Sequence, residues 1–159
     1  PAAINAGLKV MPAEVAAVAF CDSDDVWSPE KLSKQWSLAP DVGVTAWSVA
    51  TLIEEFEDFP TEVVPTHRAR PGAHKAMLRT NAMLSRKAID ELGPMDTAIR
   101  FGDFIAWMSP LVNRGVQTQY VEEVLVRRRI HGANMTAQPD QKAYLQLLRQ
   151  HLQDKKGKS

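Results

Sequence analysis

Residues 15–20, Val-Ala-Ala-Val-Ala-Phe, form an apolar run of strand length. Three carboxylates follow at Asp22, Asp24 and Asp25, and Ser28-Pro29-Glu30 then opens a helical pattern. This order of strand, acidic loop and helix constrains the fold more than anything else in the chain. A continuous apolar run of this length marks a strand buried on both faces. Ser28 suits an N-cap, Pro29 the first helical position and Glu30 the positive helix end. The helix is expected over residues 28–39, ended by Pro40. In open α/β sheets ligands bind at the carboxyl ends of strands, which is where the carboxylates stand. Their mutual repulsion is costly unless a cation neutralises it. Carboxylate oxygens suit hard ions such as Mg²⁺ or Mn²⁺. The cluster is therefore expected to hold a divalent metal against an anionic substrate. The plain alternative is a solvated acidic turn that caps a helix.

Composition narrows the field. The 159 residues fit one domain with a sizeable core, and 45% hydrophobic content is ordinary for a globular protein. Lys plus Arg equals Asp plus Glu at 19 each, so no global charge argues for nucleic acid. The single Cys21 excludes an intramolecular disulfide and a Cys-rich zinc site. Its place next to the apolar run predicts a buried, inert thiol. No run of 18 apolar residues spans a membrane. The absence of a basic-then-apolar leader favours the cytoplasm, with the inner face of a membrane as a peripheral location.

Further along, residues 1–9 read as the end of a helix before a Gly-containing turn. Residues 42–50 are β-branched and apolar, a second strand. Residues 54–73, acidic and then rich in Pro and charge, read as a long loop. Residues 81–85 are expected as a short strand and 87–92 as a short helix ended by Gly93-Pro94. Residues 104–113 look helical, with Pro110 expected to kink or shorten the helix and Gly115 to cap it. Residues 117–120 and 124–130 alternate as two strands. Residues 141–153 carry Tyr144, Leu145, Leu148 and Leu152 on one helical face.

The acidic run continues through Trp27, Pro29, Lys31, Leu32 and Gln35. This string, Asp-x-Asp-Asp followed by an aromatic, a Pro, a Lys-Leu and a Gln, resembles family 2 glycosyltransferases, inverting enzymes of the A-type, Rossmann-like fold. Two more segments carry the resemblance. Leu92-Gly93-Pro94-Met95-Asp96, then Asp103 and Trp107, is similar to the family's Gly-Gly-Phe-Asp and Glu-Asp patterns, with Gly102 in place of the Glu. Val126 to Thr136, containing Arg127-Arg128-Arg129 and His131-Gly132-Ala133-Asn134, is similar to the family's closing strand and His-Gly-x-Asn turn. Alternation puts Arg127 and Arg129 on one face and Arg128 on the other.

The resemblance implies a mixed central sheet flanked by helices and transfer of a sugar, with inversion, from a nucleotide-diphosphate donor to a carbohydrate or other hydroxyl acceptor. It implies Asp103 as the catalytic base and Mn²⁺ or Mg²⁺ held by Asp24, with Asp22 and His131. It places Asp22, Asp25, Asn5 and Arg129 on the donor side, and Asp96 and Trp107 on the acceptor side. Asp103 as a mere helix cap, and the arginines as an exposed basic strand, are the competing readings.

The resemblance covers residues 1–136, with 137–159 as a C-terminal helix and tail. It corresponds to the latter part of the family domain, so the fold is expected to be N-terminally truncated. The opening strands, which bind base and ribose, have no counterpart. Asn5-Ala6-Gly7 matches the family's Arg-Asn-x-Gly stretch, with Ile4 at the Arg position. Three readings stay open: a truncated piece, a piece that works with a partner chain, and an inactive remnant or interaction module of the same fold. A metal-dependent phosphatase also uses Asp-x-Asp, but the Trp-x-Pro-x-Lys-Leu continuation argues against it. An exposed sheet edge, left by missing strands, predicts a homodimer or a partner chain.

Overall fold

The computed structural model describes residues 1–40, 45–60, 62, 68–99 and 102–131. They form a mixed α/β fold whose elements, in chain order, are α1 (Ala2–Lys9), β1 (Ala17–Ala19), β2 (Val26–Trp27), α2 (Lys31–Ser37), β3 (Ser48–Glu57), β4 (Ala82–Ser85), α3 (Arg86–Leu92), α4 (Asp103–Asn113) and β5 (Thr118–Ile130). A 3₁₀ turn, Arg79–Asn81, leads into β4. The strands make one five-stranded sheet in the order β1-β4-β3-β5-β2. β3 and β5 run parallel; the other neighbours are antiparallel.

Alternation along β4 sorts the core into two layers. Ala82 and Leu84 join Ala88, Ile89, Phe104, Trp107, Met108 and Leu111 on the face covered by α1, α3 and α4. Met83 joins Trp47, Val49, Val121 and Leu125 on the opposite face, where α2 lies and Trp36 meets Trp47 edge-on. Ser85 caps α3 by accepting from the Ala88 N–H at 3.0 Å.

Several expectations need correction. The apolar run 15–20 contributes only three residues to the sheet, and β1 is a half-buried edge strand. It pairs with β4 alone, so its apolar composition does not reflect burial between two strands. Cys21 lies past the end of β1 and is exposed. Partial desolvation, then the charges of Asp25, Asp22 and Asp24, push its thiol above the ordinary value. Residues 22–27 read as one loop after the apolar run, but Val26 and Trp27 pair with Arg127 and Val126 of β5. Helix α2 begins at Lys31, after a turn in which Lys31 N–H bonds Ser28 O.

The largest difference concerns residues 54–57. They read as loop because they are acidic, yet they continue β3. Opposite them in register stand Arg127, Arg128, Arg129 and Ile130. Glu54 pairs with Arg127 at 3.9 Å and Glu55 with Arg128 at 2.7 Å. Arg127 and Arg129 lie over the ring of Phe56, on one face as alternation requires. Cross-strand pairs of opposite charge thus stabilise a segment whose composition alone disfavours a strand. Residues 118–130 form one strand and not two, with register shifts opposite Thr51–Ile53. The extra residues Glu122 and Glu123 fall at this irregularity and reach Lys75 and Lys34.

Pro110 sits inside α4 without ending it. A proline cannot donate to the carbonyl four residues back, here Ala106. The Ser109 hydroxyl donates to that oxygen at 2.8 Å. Gly115, at φ 87°, closes the helix: its N–H bonds Val112 O, and Val116 N–H bonds Leu111 O. Among the described residues no helix is long and apolar enough to cross a membrane. The expected strand start at 42–44, the Gly132 and Asn134 positions, and the helix at 141–153 lie outside the described residues.

Candidate functional site

Four stretches far apart in sequence meet at one end of the sheet: the 22–25 loop after β1, the Arg79–Asn81 turn, the start of α4 and the end of β5. The Asp22–Asp25 turn is closed by the Asp25 N–H on Asp22 O at 3.1 Å. Its carboxylates point to different partners. Asp22 Oδ1 accepts from Arg79 Nε at 3.1 Å and Nη2 at 2.7 Å. Asp24 Oδ2 lies 3.0 Å from His131 Nε2. Asp25 Oδ1 accepts from the Arg129 N–H at 3.1 Å. Burial pushes the Asp25 carboxyl above its ordinary value. Hydrogen bonds from the Thr80 side chain and the Arg129 backbone oppose that rise, and the charges of Asp24 and Asp22 add to it.

Asp103 is the first residue of α4, after Gly102 at φ 69°. The N-cap position belongs to Gly102, so Asp103 is not the cap of its helix. Its Oδ1 accepts from the Phe104 N–H at 2.8 Å, and its Oδ2 from Arg79 Nη1 at 3.3 Å. The side chain is 14% exposed. Arg79 therefore bridges Asp22 and Asp103. Sequence reasoning missed this residue altogether. The available signal was a polar triplet, Arg-Thr-Asn, interrupting the apolar sequence between Met77-Leu78 and residues 82–84.

That triplet is firmly seated. Thr80 and Asn81 are buried. The Asn81 amide donates to Thr51 O and Ala76 O, and its Oδ1 accepts from Leu78 N–H. Gln35 Nε2 donates to Asn81 O at 2.9 Å and to Val49 O at 2.7 Å. Trp27 Nε1 donates to Thr80 O at 3.0 Å. Lys31, with 0% exposure, places Nζ 2.8 Å from Gln35 Oε1 and 3.8 Å from the Trp27 ring centroid. Burial pulls its amine down from 10.5 to about 8. Trp27, Lys31 and Gln35 thus support the turn that carries Arg79.

Of the remaining sequence candidates Asn5, Asp96 and Trp107 lie elsewhere, and Arg129 lies at the acidic loop. Asn5 is clamped to Met95: its Nδ2 donates to Met95 O and its Oδ1 accepts from Met95 N–H, each at 2.8 Å. Both ends of its amide are used in tying α1 to the loop after α3. Asp96 is exposed, its Oδ1 accepting from Ala98 N–H. Trp107 is 6% exposed, donates to Gly93 O at 2.9 Å and packs against Phe20 and Phe104, so its ring belongs to the core. Arg129 donates through Nε to Asp24 O at 3.1 Å and pairs with Asp58.

Among the described residues no group of three His, Cys, Asp or Glu is arranged to hold a metal ion. The 3.0 Å separation of Asp24 Oδ2 and His131 Nε2 is that of a hydrogen bond between them. Comparison of the chain with protein-family models, with curated proteins and with solved structures finds no match.

Proposed function

We propose that this chain carries the metal, base and acceptor portions of an inverting family 2 glycosyltransferase of the A-type fold. Its substrates are a nucleotide-diphospho-sugar and a hydroxyl acceptor. The observation that supports this reading best is convergence. One or two residues from each of three segments that resemble the family, Asp22 and Asp24, Asp103, and His131, lie among the contacts at one end of the sheet. There Asp24 faces His131 and one arginine joins Asp22 to Asp103.

In this reading Asp24 and His131 would hold Mn²⁺ or Mg²⁺, with Asp22 assigned to the donor side. A bound divalent ion supplies charge stabilisation for the departing diphosphate. Asp103 accepts the proton of the acceptor hydroxyl as its oxygen bonds the anomeric carbon. The bond from that carbon to the diphosphate oxygen breaks on the opposite face, with inversion. The helix start that holds Asp103 fixes the carboxylate: one oxygen is used by Phe104 N–H, and the other is turned toward Arg79. Asp25 and Arg129 brace the loop and the end of β5 against each other.

The test is calorimetry with Mn²⁺ and uridine-, guanosine- and thymidine-diphosphate sugars. Metal-dependent binding of one donor, lost in Asp24→Asn, is the expected result. Silence across the panel for a folded protein refutes the reading and favours an interaction module of the same fold.

A further inference from the structure

Helix α2 turns two large apolar side chains outward. Leu32 and Trp36 stand four apart, on one face of the helix, and are 47% and 45% exposed. They border a groove that is also lined by Trp27, by Ala17 and Ala19 of β1, and by Met83 of β4. A contiguous apolar surface of this kind marks a place where another element packs. One apolar stretch of the chain is without a place among the described residues: 141–153, with Tyr144, Leu145, Leu148 and Leu152 on one helical face. Leu145, Leu148 and Leu152 have the i, i+3, i+7 spacing with which helices enter grooves.

Reach and charge both favour this occupant. The described fold ends at His131, whose Nε2 lies 3.0 Å from Asp24 Oδ2. The chain from Ala19 to Asp24 spans at most about 18 Å, and residues 132–140 span up to about 30 Å, so the segment that starts at 141 reaches the groove. Residues 137–159 hold five basic side chains, Lys142, Arg149, Lys155, Lys156 and Lys158, against Asp140 and Asp154. Exposed Glu14 stands two residues before groove-lining Ala16. Glu30 stands two before Leu32 and is 66% exposed although 3.4 Å from Lys34. The groove on the opposite face of the sheet, with Leu8, Met11 and Val18, has Lys9 next to Leu8, a charge of the same sign as the segment.

We propose that residues 141–153 dock as a helix in the groove between α2 and β1 of their own chain, with Tyr144, Leu145, Leu148 and Leu152 packed on Leu32 and Trp36. The docking requires neither a metal nor a nucleotide. A helix on this face of the sheet leaves the main-chain edge of β1 open.

The experiment is thiol crosslinking of the full chain with a short bismaleimide in a Cys21→Ser background, each variant checked for native circular dichroism. Ser33→Cys places a thiol at the groove. His151→Cys places one beside the apolar face of the segment, and Gln150→Cys one on its opposite face. The two segment positions are adjacent in the chain and have the same reach, so only an oriented helix distinguishes them. Ser33→Cys with His151→Cys is expected to link within one chain, roughly tenfold faster than Ser33→Cys with Gln150→Cys. Leu145→Asp combined with Leu148→Asp should abolish that preference. Equal rates for the two pairs overturn the docking, as does a preference that survives the two Asp substitutions. Faster linkage of His151→Cys to Lys9→Cys overturns it by placing the segment in the other groove. Links between two chains in place of links within one overturn it as well, and assign the groove to a second copy.

Discussion

Lys31 offers a test of the buried network by pH. The amine is fully buried, bonded to Gln35 Oε1 and set over Trp27. Its proton affinity falls from 10.5 to about 8 because burial penalises the charge. At 1.36 kcal/mol per pH unit, that fall is worth roughly 3 kcal/mol. The sign follows from proton counting. Between about pH 8 and 10.5 the unfolded chain keeps the lysine proton that the folded protein has released, so folding gains stability as pH rises. Below pH 8 both states are protonated and the penalty is present in full. Lys31→Met removes the titration. It also leaves Gln35 Oε1 without its donor, a loss of about 1–3 kcal/mol, so the variant should lie within about 2 kcal/mol of wild type at pH 7. Urea denaturation at pH 7, 8, 9 and 10 measures the difference between the two proteins. Tyr120, raised in both proteins, largely cancels; Cys21 is electrostatically coupled to Lys31, so Cys21→Ser is carried in both proteins. The protein that keeps Lys31 should gain on the variant by up to about 3 kcal/mol across this range. Parallel stability curves would refute the assignment of a buried, depressed amine.

Two further outcomes are expected. Asp103→Asn should leave metal-dependent donor binding nearly intact and lower sugar transfer by on the order of 10²–10⁴-fold, as loss of a general base does; full activity with unchanged melting would end the base assignment. The β1 edge is flanked by a groove with Leu32 and Trp36 on one face and by Ile4, Leu8 and Val10 on the other. This edge suits strand pairing with a second copy, so sedimentation should show a concentration-dependent dimer, and a monomer across the micromolar range would exclude it.

Local chemistry made part of this molecule legible in the sequence. The ends of helices α3 and α4 follow from Gly93 and Gly115, both at positive φ, whereas the Ser85 cap emerged only from the structure. The acidic loop and Asp103 stand out because carboxylates at the ends of elements are conspicuous. What was not legible depends on partners distant in the chain. The 54–57 strand exists because Arg127 and Arg128 lie across from Glu54 and Glu55, and no local rule contains that pairing. The uninterrupted α4 depends on one hydroxyl, that of Ser109, taking up a carbonyl that Pro110 leaves unbonded. Arg79 escaped notice because its significance is its position between Asp22 and Asp103, 57 and 24 residues away.

The string that drew attention to residues 20–35 divides into two physical roles once its contacts are known. Asp22, Asp24 and Asp25 face the site. Trp27, Lys31 and Gln35 face inward, toward the turn that holds Arg79. Lys31 and Gln35 are four apart on α2, so they share a face, and the bond between them orients the Gln35 amide toward Asn81 O and Val49 O. Trp27 closes the same assembly from β2 through Thr80 O. A buried lysine is a costly way to orient a glutamine, and an apolar residue there would leave Gln35 Oε1 unbonded. The cost is intelligible if the position of the Arg79 turn matters more than the stability lost in fixing it. In that case the spacing from Trp27 to Gln35 records a requirement on the geometry of Arg79, and the acidic residues just before it record the charge that Arg79 must meet.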